Sequence, residues 1–558
     1  MIIIGGVLGR IRKVKRLLCV FMTIILVLFS GCATNKTNKT SKTDNSNSAV
    51  STVDGSSNSN DKAESNMNEQ GLPILKEKKT YVIAVEKDPK SENGFADKEA
   101  SKKAEEATNI HIDWMDIPAA GWDEQVNIMI ASGNLPDAFC SSSGVDTMSN
   151  IELFTPISSL IEKYAPNINE MLTTDTKVKM AITAEDGEIY SLPTGKDSPA
   201  KKIGHSLWMN TEWLSKLGLS IPKTTDEFVD VLRAFKNGDP NGNGIADEIP
   251  FLAGTHTSES TIYPMFGSFG VVENDDHVIS LDGKTVIFTG TQPGYFEALK
   301  WLHSLYSEGL LDNEIFTHDA AQVNAKGQSK DMIIGSILLW SPDSIDPRFA
   351  EYEILEPLKG PDGTQLWSIN REPLGQMEGF AITKNCDDPE VLVRYYDYNI
   401  SSLEIAMSWM YGPEFGGTWK RSEDRWEQTT EYVTEGSSLS YMKFTVAGGD
   451  RSPMYQWSKY SKMEIPDARN KKKLAGIDLC LPYAVTVMPN GVENPERMNQ
   501  RNLLFVDINN YMKKFMATSI VDGIDEAGWQ NHLKTCEQLK VNEYTNLWQQ
   551  YFDMKKGS

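Results

Sequence analysis

The chain is poor in cysteine and histidine, and neither residue is spaced for metal binding or redox chemistry. Its seven histidines form no H-E-x-x-H motif, and no two cysteines form a C-x-x-C pair. A chain of this size does not need disulfides to build a core, so we expect the last four cysteines to be buried free thiols. The six cysteines lie far apart, at Cys19, Cys32, Cys140, Cys386, Cys480 and Cys536.

Sequence signatures of catalysis are missing as well. The chain has no G-x-S-x-G elbow, no phosphate-binding loop and no dinucleotide fingerprint. A secreted glycosidase needs only two suitably placed carboxylates, and with 77 acidic residues that alternative stays open. The sequence singles out no such pair, and we therefore predict a protein that is not an enzyme.

Basic residues are outnumbered in this chain. The 55 lysines and arginines face 77 aspartates and glutamates, which gives a formal charge of -22. Nucleic acids and anionic membrane surfaces attract basic proteins, so neither is expected as a partner. The charge places no such restriction on an uncharged ligand.

Long apolar runs are confined to the N-terminus. Basic residues over Arg10–Arg16 precede an apolar run from Leu17 to Phe29, which is short for a bilayer-spanning helix of about 20 residues. The run ends in Phe29-Ser30-Gly31-Cys32 and resembles the lipobox of bacterial lipoproteins, with Phe29 in place of the usual leucine. The resemblance implies a signal peptide over 1–31, a diacylglycerol lipid on Cys32, and a place on the extracytoplasmic face of the cell membrane. The alternative is an uncleaved anchor helix with an incidental cysteine.

A polar segment follows the lipobox. Residues 32–75 are rich in Ser, Asn, Thr, Lys and Asp and hold few large apolar side chains. Such a segment buries too little surface to offset the entropy lost on ordering. We therefore predict a disordered tether over 32–75 that holds a folded body away from the membrane.

The rest of the chain alternates strand and helix patterns. Strands are predicted at Tyr81–Val85 and Ile110–Trp114, with helices over Lys98–Thr108 and Trp122–Ser132. This alternation indicates an α/β fold with parallel strands in a covered sheet. The length allows two or more lobes, since domains usually hold about 100–200 residues. A strongly helical tail is predicted from Asn499 to Lys556.

The sharpest chemical motif is a glycine-containing loop that carries oxygen side chains at alternate positions. Its positions one, three, five, seven and nine match those of an EF-hand calcium loop, and Gly244 permits the sharp turn at position six. Position twelve is Pro250 instead of the usual glutamate, so Glu248 would complete a structural calcium site. The alternative is an Asn-Gly turn held by side-chain hydrogen bonds. The predicted ligands are Asp239, Asn241, Asn243, the carbonyl of Ile245, Asp247 and Glu248.

Several segments, in a shared order, resemble one protein family. They are Ala131–Asp137 (ASGNLPD), Asp186–Pro193 (DGEIYSLP), Leu207–Leu214 (LWMNTEWL) with Pro222–Phe228 (PKTTDEF), and Phe380–Lys384 (FAITK) followed by Asp388–Glu390. Together they resemble the extracellular solute-binding proteins of carbohydrate ABC importers, in the lipoprotein branch common in Gram-positive bacteria. The resemblance runs, with gaps, over nearly the whole folded chain.

The resemblance implies a two-lobed, periplasmic-binding-protein-like α/β fold with hinge strands and a helical C-terminal segment. It implies a first lobe of 76–205 plus 376–482 and a second lobe of 206–375 plus 483–558. The hinge crossings are expected near Gly204–Trp208, near Gln376–Ile382, and between Cys480 and Val487. The implied partners are an oligosaccharide and the permease subunits of an ABC importer, with the protein itself a monomer. The alternatives are a non-sugar solute and a surface adhesin on the same scaffold.

Sugars present hydroxyls and flat C–H faces, which are bound by planar polar groups and aromatic platforms. Trp340 follows a predicted strand, at the carboxyl edge where open α/β sheets bind ligands. Asn93 and Ser142 occupy loops that bind ligand in similar proteins, and the remaining candidates lie in loops rich in glycine and aromatic residues. Ordinary packing competes with ligand contact at each position. The predicted ligand-binding residues are Asn93, Ser142, Trp340, Trp409, Glu414, Trp419 and Trp457.

Overall fold

The computed structural model describes residues 65–255, 260–433, 439–485 and 488–557. The predicted signal peptide, Cys32 and the tether up to residue 64 lie outside this part of the chain. The described strands are β1 Lys79–Lys87, β2 Ile110–Pro118, β3 Ala138–Cys140, β4 Leu192–Lys196, β5 Ser206–Asn210, β6 Ile249–Leu252, β7 Val278–Ile279, β8 Ile287–Phe288, β9 Ile334–Leu339, β10 Tyr352–Ile354, β11 Trp367–Ser368, β12 Gln376–Ile382, β13 Trp419–Ser422, β14 Arg425–Gln428, β15 Tyr455–Gln456, β16 Glu464–Ile465 and β17 Ala484–Val485.

Helices cover both sheets and form the C-terminal tail. In chain order they are α1 Glu99–Thr108, α2 Trp122–Ser132, α3 Ser158–Tyr164, α4 Pro166–Thr174, α5 Thr176–Ile182, α6 Thr211–Leu217, α7 Thr225–Asn237, α8 Pro293–Ser307, α9 Ala320–Gly327, α10 Pro389–Asn399, α11 Leu403–Tyr411, α12 Leu439–Val446, α13 Ser458–Ser461, α14 Ala468–Cys480, α15 Pro495–Asp522, α16 Glu526–Gln538 and α17 Val541–Gly557.

The first lobe is built on a sheet of six strands, in the order β15-β4-β12-β3-β1-β2. β1 is parallel to β2 and to β3, as the alternation of strands and helices predicts. Ile83, Ala84 and Val85 of β1 are fully buried, which is expected of a strand covered on both faces. β12 is antiparallel to β3 and β4, so the sheet is mixed and the prediction of parallel strands is wrong for this part.

The second lobe is built on a sheet of four strands, in the order β10-β5-β9-β6. β6 is parallel to β9, whereas β5 is antiparallel to both of its neighbours. Helix α7 packs on this sheet and begins with a capping box between Thr224 and Glu227. Its apolar residues Phe228, Leu232 and Phe235 recur at helical spacing and are fully buried.

The C-terminal helices complete the second lobe. Ile508, Met512 and Trp548 of α15 and α17 are buried in the same hydrophobic core as the second sheet, as the resemblance implies. Helix α14 also packs on β10, and its Ile477 and Cys480 belong to that core. This helix precedes the predicted end of the first lobe at residue 482, yet it is part of the second core.

The predicted tether is too long at its C-terminal end. Ile74 and Leu75 are buried in the first core, each with 1% of its surface exposed. Arg394 donates hydrogen bonds to the carbonyls of Asn68 and Gly71 and so ties the segment to helix α10. Two adjacent apolar side chains supply the burial that the polar stretch before them lacks. The folded body therefore includes the last ten or so residues that the sequence analysis gave to the tether.

The four cysteines of the described chain are buried free thiols, as predicted. Burial raises the pKa of each thiol, which keeps it protonated and unreactive. Within the described ranges, no helix is both long and apolar enough to cross a membrane. The four residues are Cys140, Cys386, Cys480 and Cys536.

Candidate functional site

A cavity of about 800 Å³ lies beside the predicted hinge block. Gly204 and His205, just before β5, line it together with Trp340, just after β9. Ser206 of β5 is paired with Leu339 of β9, so the residues that precede one strand and follow the other meet at the same edge of the sheet. Ligand pockets in proteins usually measure about 300–1,000 Å³, and this cavity has the size for an oligosaccharide.

Trp340 is the predicted aromatic platform that the structure places in this cavity. The indole is half-buried, with Lys473 Nζ 4.8 Å from its ring centroid and the His205 ring edge-on at 5.8 Å. Gly204 must be small, because a Cβ atom there would lie 3.2 Å from Trp340 Cζ3 and 2.9 Å from Asn370 Oδ1. Its neighbours thus hold the indole in place, while part of its surface remains open to a flat sugar face.

An acidic segment, Glu273-Asn274-Asp275-Asp276, forms another part of the cavity lining. The Glu273 side chain is fully buried, and its Oε1 lies 2.7 Å from His277 Nδ1. Burial lowers the pKa of His277, but the Glu273 carboxylate outweighs burial and the net pKa is raised. Glu273 Oε2 is buried and has no hydrogen-bond partner in the described part of the chain, so this carboxylate places a negative charge behind the cavity wall.

The two aspartates of this segment differ in their surroundings. Asp276 forms an ion pair with Arg371, which also lines the cavity. Asp275 keeps an exposed side chain at the cavity, where partial desolvation and the neighbouring Asp276 charge raise its pKa. The exposed Lys513, which also lines the cavity, offsets part of this rise in the pKa of Asp275.

The first lobe brings a compact charged cluster to the border of the cavity. Asp450 lies 3.9 Å from both Lys201 and Lys443. Burial opposes ionisation of Asp450, but Lys443 and Lys201 hold its pKa well below the usual range. Burial also lowers the pKa of Lys443 to about 8. Asn370, a cavity residue, donates to the Lys201 carbonyl, so this cluster adjoins the cavity.

The predicted strand-end loops of the first lobe are engaged in contacts of their own. Glu86 Oε2 accepts hydrogen bonds from Ser141 Oγ at 2.6 Å and from the Ser142 amide at 2.9 Å. Glu86 also pairs with Arg451, whose Nε lies 3.0 Å from Oε1. Ser142 thus supports this carboxylate, whereas the Asn93 side chain is exposed. Neither residue lines the cavity.

Three of the predicted tryptophan platforms lie in the first core instead of the cavity, and here the predicted site needs correction. Trp409, Trp419 and Trp457 have at most 1% of their surface exposed. Trp409 Nε1 donates to Asn399 Oδ1 at 2.9 Å, and Trp419 Nε1 donates to the Gly412 carbonyl at 2.7 Å. Glycine-rich loops next to aromatic residues suggested open platforms, but Trp409 lies on helix α11 and Trp419 on strand β13, and the indoles pack in the first core.

Glu414 lies at a separate pocket of about 520 Å³ on the first lobe. Its Oε1 accepts a hydrogen bond from the Arg421 amide at 3.0 Å. This pocket shares no lining residue with the cavity beside Trp340. The buried indoles of Trp409 and Trp419 also line this pocket, together with Phe415, which is 81% exposed, so the structure brings this predicted cluster together away from Trp340.

The calcium-like loop has an arrangement that fits the predicted ion. The Asp239 carboxylate accepts hydrogen bonds from the amides of Gly242 and Gly244, both at 3.1 Å. Asn241 and Asn243 direct their side chains to Asp247, with amide nitrogens 3.0 and 3.2 Å from its Oδ1. Five of the predicted ligands are therefore in one tight loop, and Gly244 adopts the positive φ of 72° that favours glycine.

Glu248 adds a sixth oxygen donor to this loop. Its Oε1 is buried without a hydrogen-bond partner in the described part of the chain, and burial raises the pKa of its carboxyl. A buried, unpaired acceptor next to a set of carboxylate and amide oxygens is the donor chemistry that calcium prefers.

A second acidic cluster, which the sequence analysis did not single out, contains its own cation. Lys326 Nζ lies 2.6 Å from both Asp312 Oδ2 and Glu314 Oε2, and 2.8 Å from His318 Nε2. These three side chains are close enough to share a metal ion. The lysine ammonium stands between them and already occupies the place of a cation, so we assign no metal to this cluster.

The chain matches a protein family over more than half of its length. The family described as bacterial extracellular solute-binding protein matches residues 88–398. FusA, the fructooligosaccharide ABC transporter substrate-binding protein of Streptococcus pneumoniae serotype 4, is 31% identical over 515 residues, which cover 87% of this chain and 92% of FusA. YtcQ, a polygalacturonan/rhamnogalacturonan-binding protein of Bacillus subtilis, is 26% identical over 58% of this chain and 64% of its own length.

Solved structures of S. pneumoniae FusA agree with this match. The complex with kestose is 27% identical, covers 86% of this chain and 100% of that chain, and has a TM-score of 0.75. An EF-hand mutant of FusA in complex with fructo-nystose has the same identity and coverage and a TM-score of 0.74. The protein described above, with its two α/β lobes, therefore belongs to the bacterial extracellular solute-binding proteins.

Proposed function

We propose that this protein captures an oligosaccharide outside the cytoplasmic membrane and delivers it to the permease of an ABC importer. The observation that carries the proposal is the cavity of about 800 Å³ beside the hinge block, with Trp340 as an aromatic platform and carboxylates as hydroxyl acceptors. FusA and YtcQ, by their names, bind a fructooligosaccharide and a galacturonan, and FusA serves an ABC transporter. The protein binds its ligand as a monomer and does not cleave it.

The ligand is held between two lobes that differ slightly from the predicted ones. We place residues 66–205 and 376–467 in the first lobe, because Ile74 and Leu75 join the first core. We place residues 206–375 and 468–557 in the second lobe, because Ile477 and Cys480 of α14 join the second core. The hinge strands near Gly204–Trp208 and Gln376–Ile382 stay as predicted.

A thermal-shift screen against mono- and oligosaccharides tests the function. A ligand at about 100 times its Kd should stabilise the protein by about 2.7 kcal/mol and raise the Tm accordingly. We expect at least one oligosaccharide to do so and to be recovered uncleaved after incubation. Amino acids and short peptides form the comparison set. A Tm increase with peptides and with no sugar would establish the non-sugar alternative, and cleaved sugar would establish a glycosidase.

We also propose that residues 239–248 hold a structural calcium ion that braces the second lobe. Asp239, Asn241, Asn243, Asp247 and Glu248 supply side-chain oxygens, and the Ile245 carbonyl supplies one more. The existence of an EF-hand mutant of FusA supports such a loop in this branch of the family. The ion would fix the turn between α7 and β6.

The lipid anchor at Cys32 is a third proposal, supported by the lipobox-like sequence. Mass spectrometry of the mature protein should find Cys32 at the N-terminus, with the added mass of a diacylglycerol. Cys32→Ser should prevent lipidation, whereas Cys19→Ser, within the apolar run, should leave processing unchanged. A mature N-terminus at another residue, without lipid, would exclude this anchor.

A further inference from the structure

The charges around the cavity limit the kind of oligosaccharide that it accepts. Among the described residues that line it, Glu273, Asp275 and Asp276 carry carboxylates, whereas Arg371 and Lys513 carry the permanent cations. Carboxylates thus predominate on this side of the ligand site. A carboxylate accepts hydrogen bonds and, while ionised, donates none.

Two of these carboxylates act on a ligand in different ways. Glu273 is fully buried, and its Oε2 has no hydrogen-bond partner among the described residues. Asp275 is exposed at the cavity. Asp275 can accept hydrogen bonds from sugar hydroxyls, whereas the buried Glu273 adds its negative charge behind the wall.

Three cations near the cavity have carboxylate partners within the protein. Arg371 pairs with Asp276, and its guanidinium lies 5.2 Å from the Trp548 ring centroid. Lys201 and Lys443 share a single carboxylate, Asp450, and burial lowers the pKa of both lysines. A carboxylate on the ligand would have to compete with these partners for its counter-charge.

Lys513 does not outweigh the carboxylates of the cavity lining. Lys513 and Asp275 are both exposed, so solvent screens the two charges alike, and Lys513 offsets only one of the three carboxylates in the lining. Its effect on Asp275 is also smaller than that of desolvation and of Asp276, which together leave the Asp275 pKa raised. An anionic sugar at this wall would therefore meet like charge in a partly desolvated setting, which disfavours binding.

We propose that the cavity selects uncharged oligosaccharides over uronic-acid oligomers, with Glu273 and Asp275 as the residues that determine this specificity. This inference rests on the proposed function and names the class of sugar for that same site. Both chemistries occur among relatives, since FusA is named for a fructooligosaccharide and YtcQ for a galacturonan. The carboxylates in the wall of this cavity favour hydroxyl donors and repel a ligand carboxylate.

Calorimetry at low salt with two sets of trisaccharides tests the proposal. The uncharged set is kestose, maltotriose, cellotriose and xylotriose, and the acidic probe is trigalacturonate. The best uncharged sugar should bind about 100-fold more tightly than trigalacturonate, and added salt should narrow that ratio because salt screens the repulsion. Asp275→Asn should reduce the ratio of the two affinities about tenfold, because the variant keeps the shape of the side chain and removes its charge.

Asp230→Asn is the matched control, since it removes the same charge from a side chain that is 77% exposed on helix α7, away from the cavity lining. It should leave the ratio unchanged. Trigalacturonate binding as tightly as the best uncharged sugar would overturn the proposal, as would equal effects of the two variants. If no sugar of either set bound, the proposed function would fail, and the inference with it.

Discussion

Replacing Trp340 by alanine should weaken oligosaccharide binding by about 30-fold or more while the protein stays folded. Truncation of an aromatic anchor in a binding site commonly costs about 2 kcal/mol or more, and about 1.4 kcal/mol is a factor of ten in Kd. Trp340 belongs to neither main hydrophobic core, so little packing is lost with it. Calorimetry gives the change in Kd, and the Tm of the free protein reports the change in stability.

Two further substitutions separate ligand contact from general effects of removing an aromatic ring. Phe415→Ala removes a ring that is 81% exposed outside the cavity, and it should leave both Kd and Tm unchanged. Trp419→Ala removes a fully buried indole, so it should lower the stability by about 3–5 kcal/mol. Unchanged affinity in Trp340→Ala, with ligand still bound, would remove Trp340 from the site.

The contrast among these aromatic residues shows what the sequence can and cannot predict about the site. Trp340 was identified because it follows a strand, and the end of a strand is a feature of local sequence that has a fixed place in an α/β sheet. Trp409 and Trp419 lie near glycines, which indicates a loop but does not reveal whether the loop faces solvent or the core. Burial of those indoles depends on helix α11 and on the separate sheet of β13, β14 and β16, which pack with residues distant in sequence in the first core.

The acidic segment illustrates a second limit. Glu273 to His277 is a run of polar residues with no periodicity, which reads as an ordinary surface turn. Helices α15 and α17 pack against this segment, where Asn509 contacts His277 and Tyr544 donates to the Asp276 carbonyl, and both helices lie more than two hundred residues later. The pattern of strands was easier to predict, because it depends on alternation within short windows. The antiparallel direction of β12 was harder to predict, because its partners β3 and β4 are remote in sequence.

The end of the tether was predicted wrongly for a related reason. The composition of residues 32–75 is polar on average, and an average conceals the pair Ile74-Leu75 at its end. The structure adds Arg394, from helix α10, which binds two carbonyls of this segment. Burial by a distant helix thus decides where the folded body begins.

Calcium binding at the loop 239–248 should have a large effect on the second lobe. The two asparagine amides and the Asp247 carboxylate now satisfy one another, and Glu248 Oε1 is buried and unpaired. An ion at the centre would draw these oxygens together and provide Glu248 with a partner. Because calcium would bind the folded loop and not the unfolded chain, its binding free energy adds to the free energy of unfolding.

Calcium added to chelator-treated protein should therefore raise the free energy of unfolding by about 2.7 kcal/mol when its concentration is about 100 times the Kd. The double variant Asp239→Asn with Glu248→Gln should lose most of this gain, because two charged oxygen ligands become neutral. Asp312→Asn is the matched control, since it alters the other acidic cluster, in which Lys326 supplies the positive charge. Calorimetry and thermal unfolding, each with and without calcium, measure the effect. Stabilisation by calcium that survives in the double variant but disappears in Asp312→Asn would assign the calcium site to the second cluster. If calcium does not stabilise the unsubstituted protein, residues 239–248 form an Asn-Gly turn without an ion.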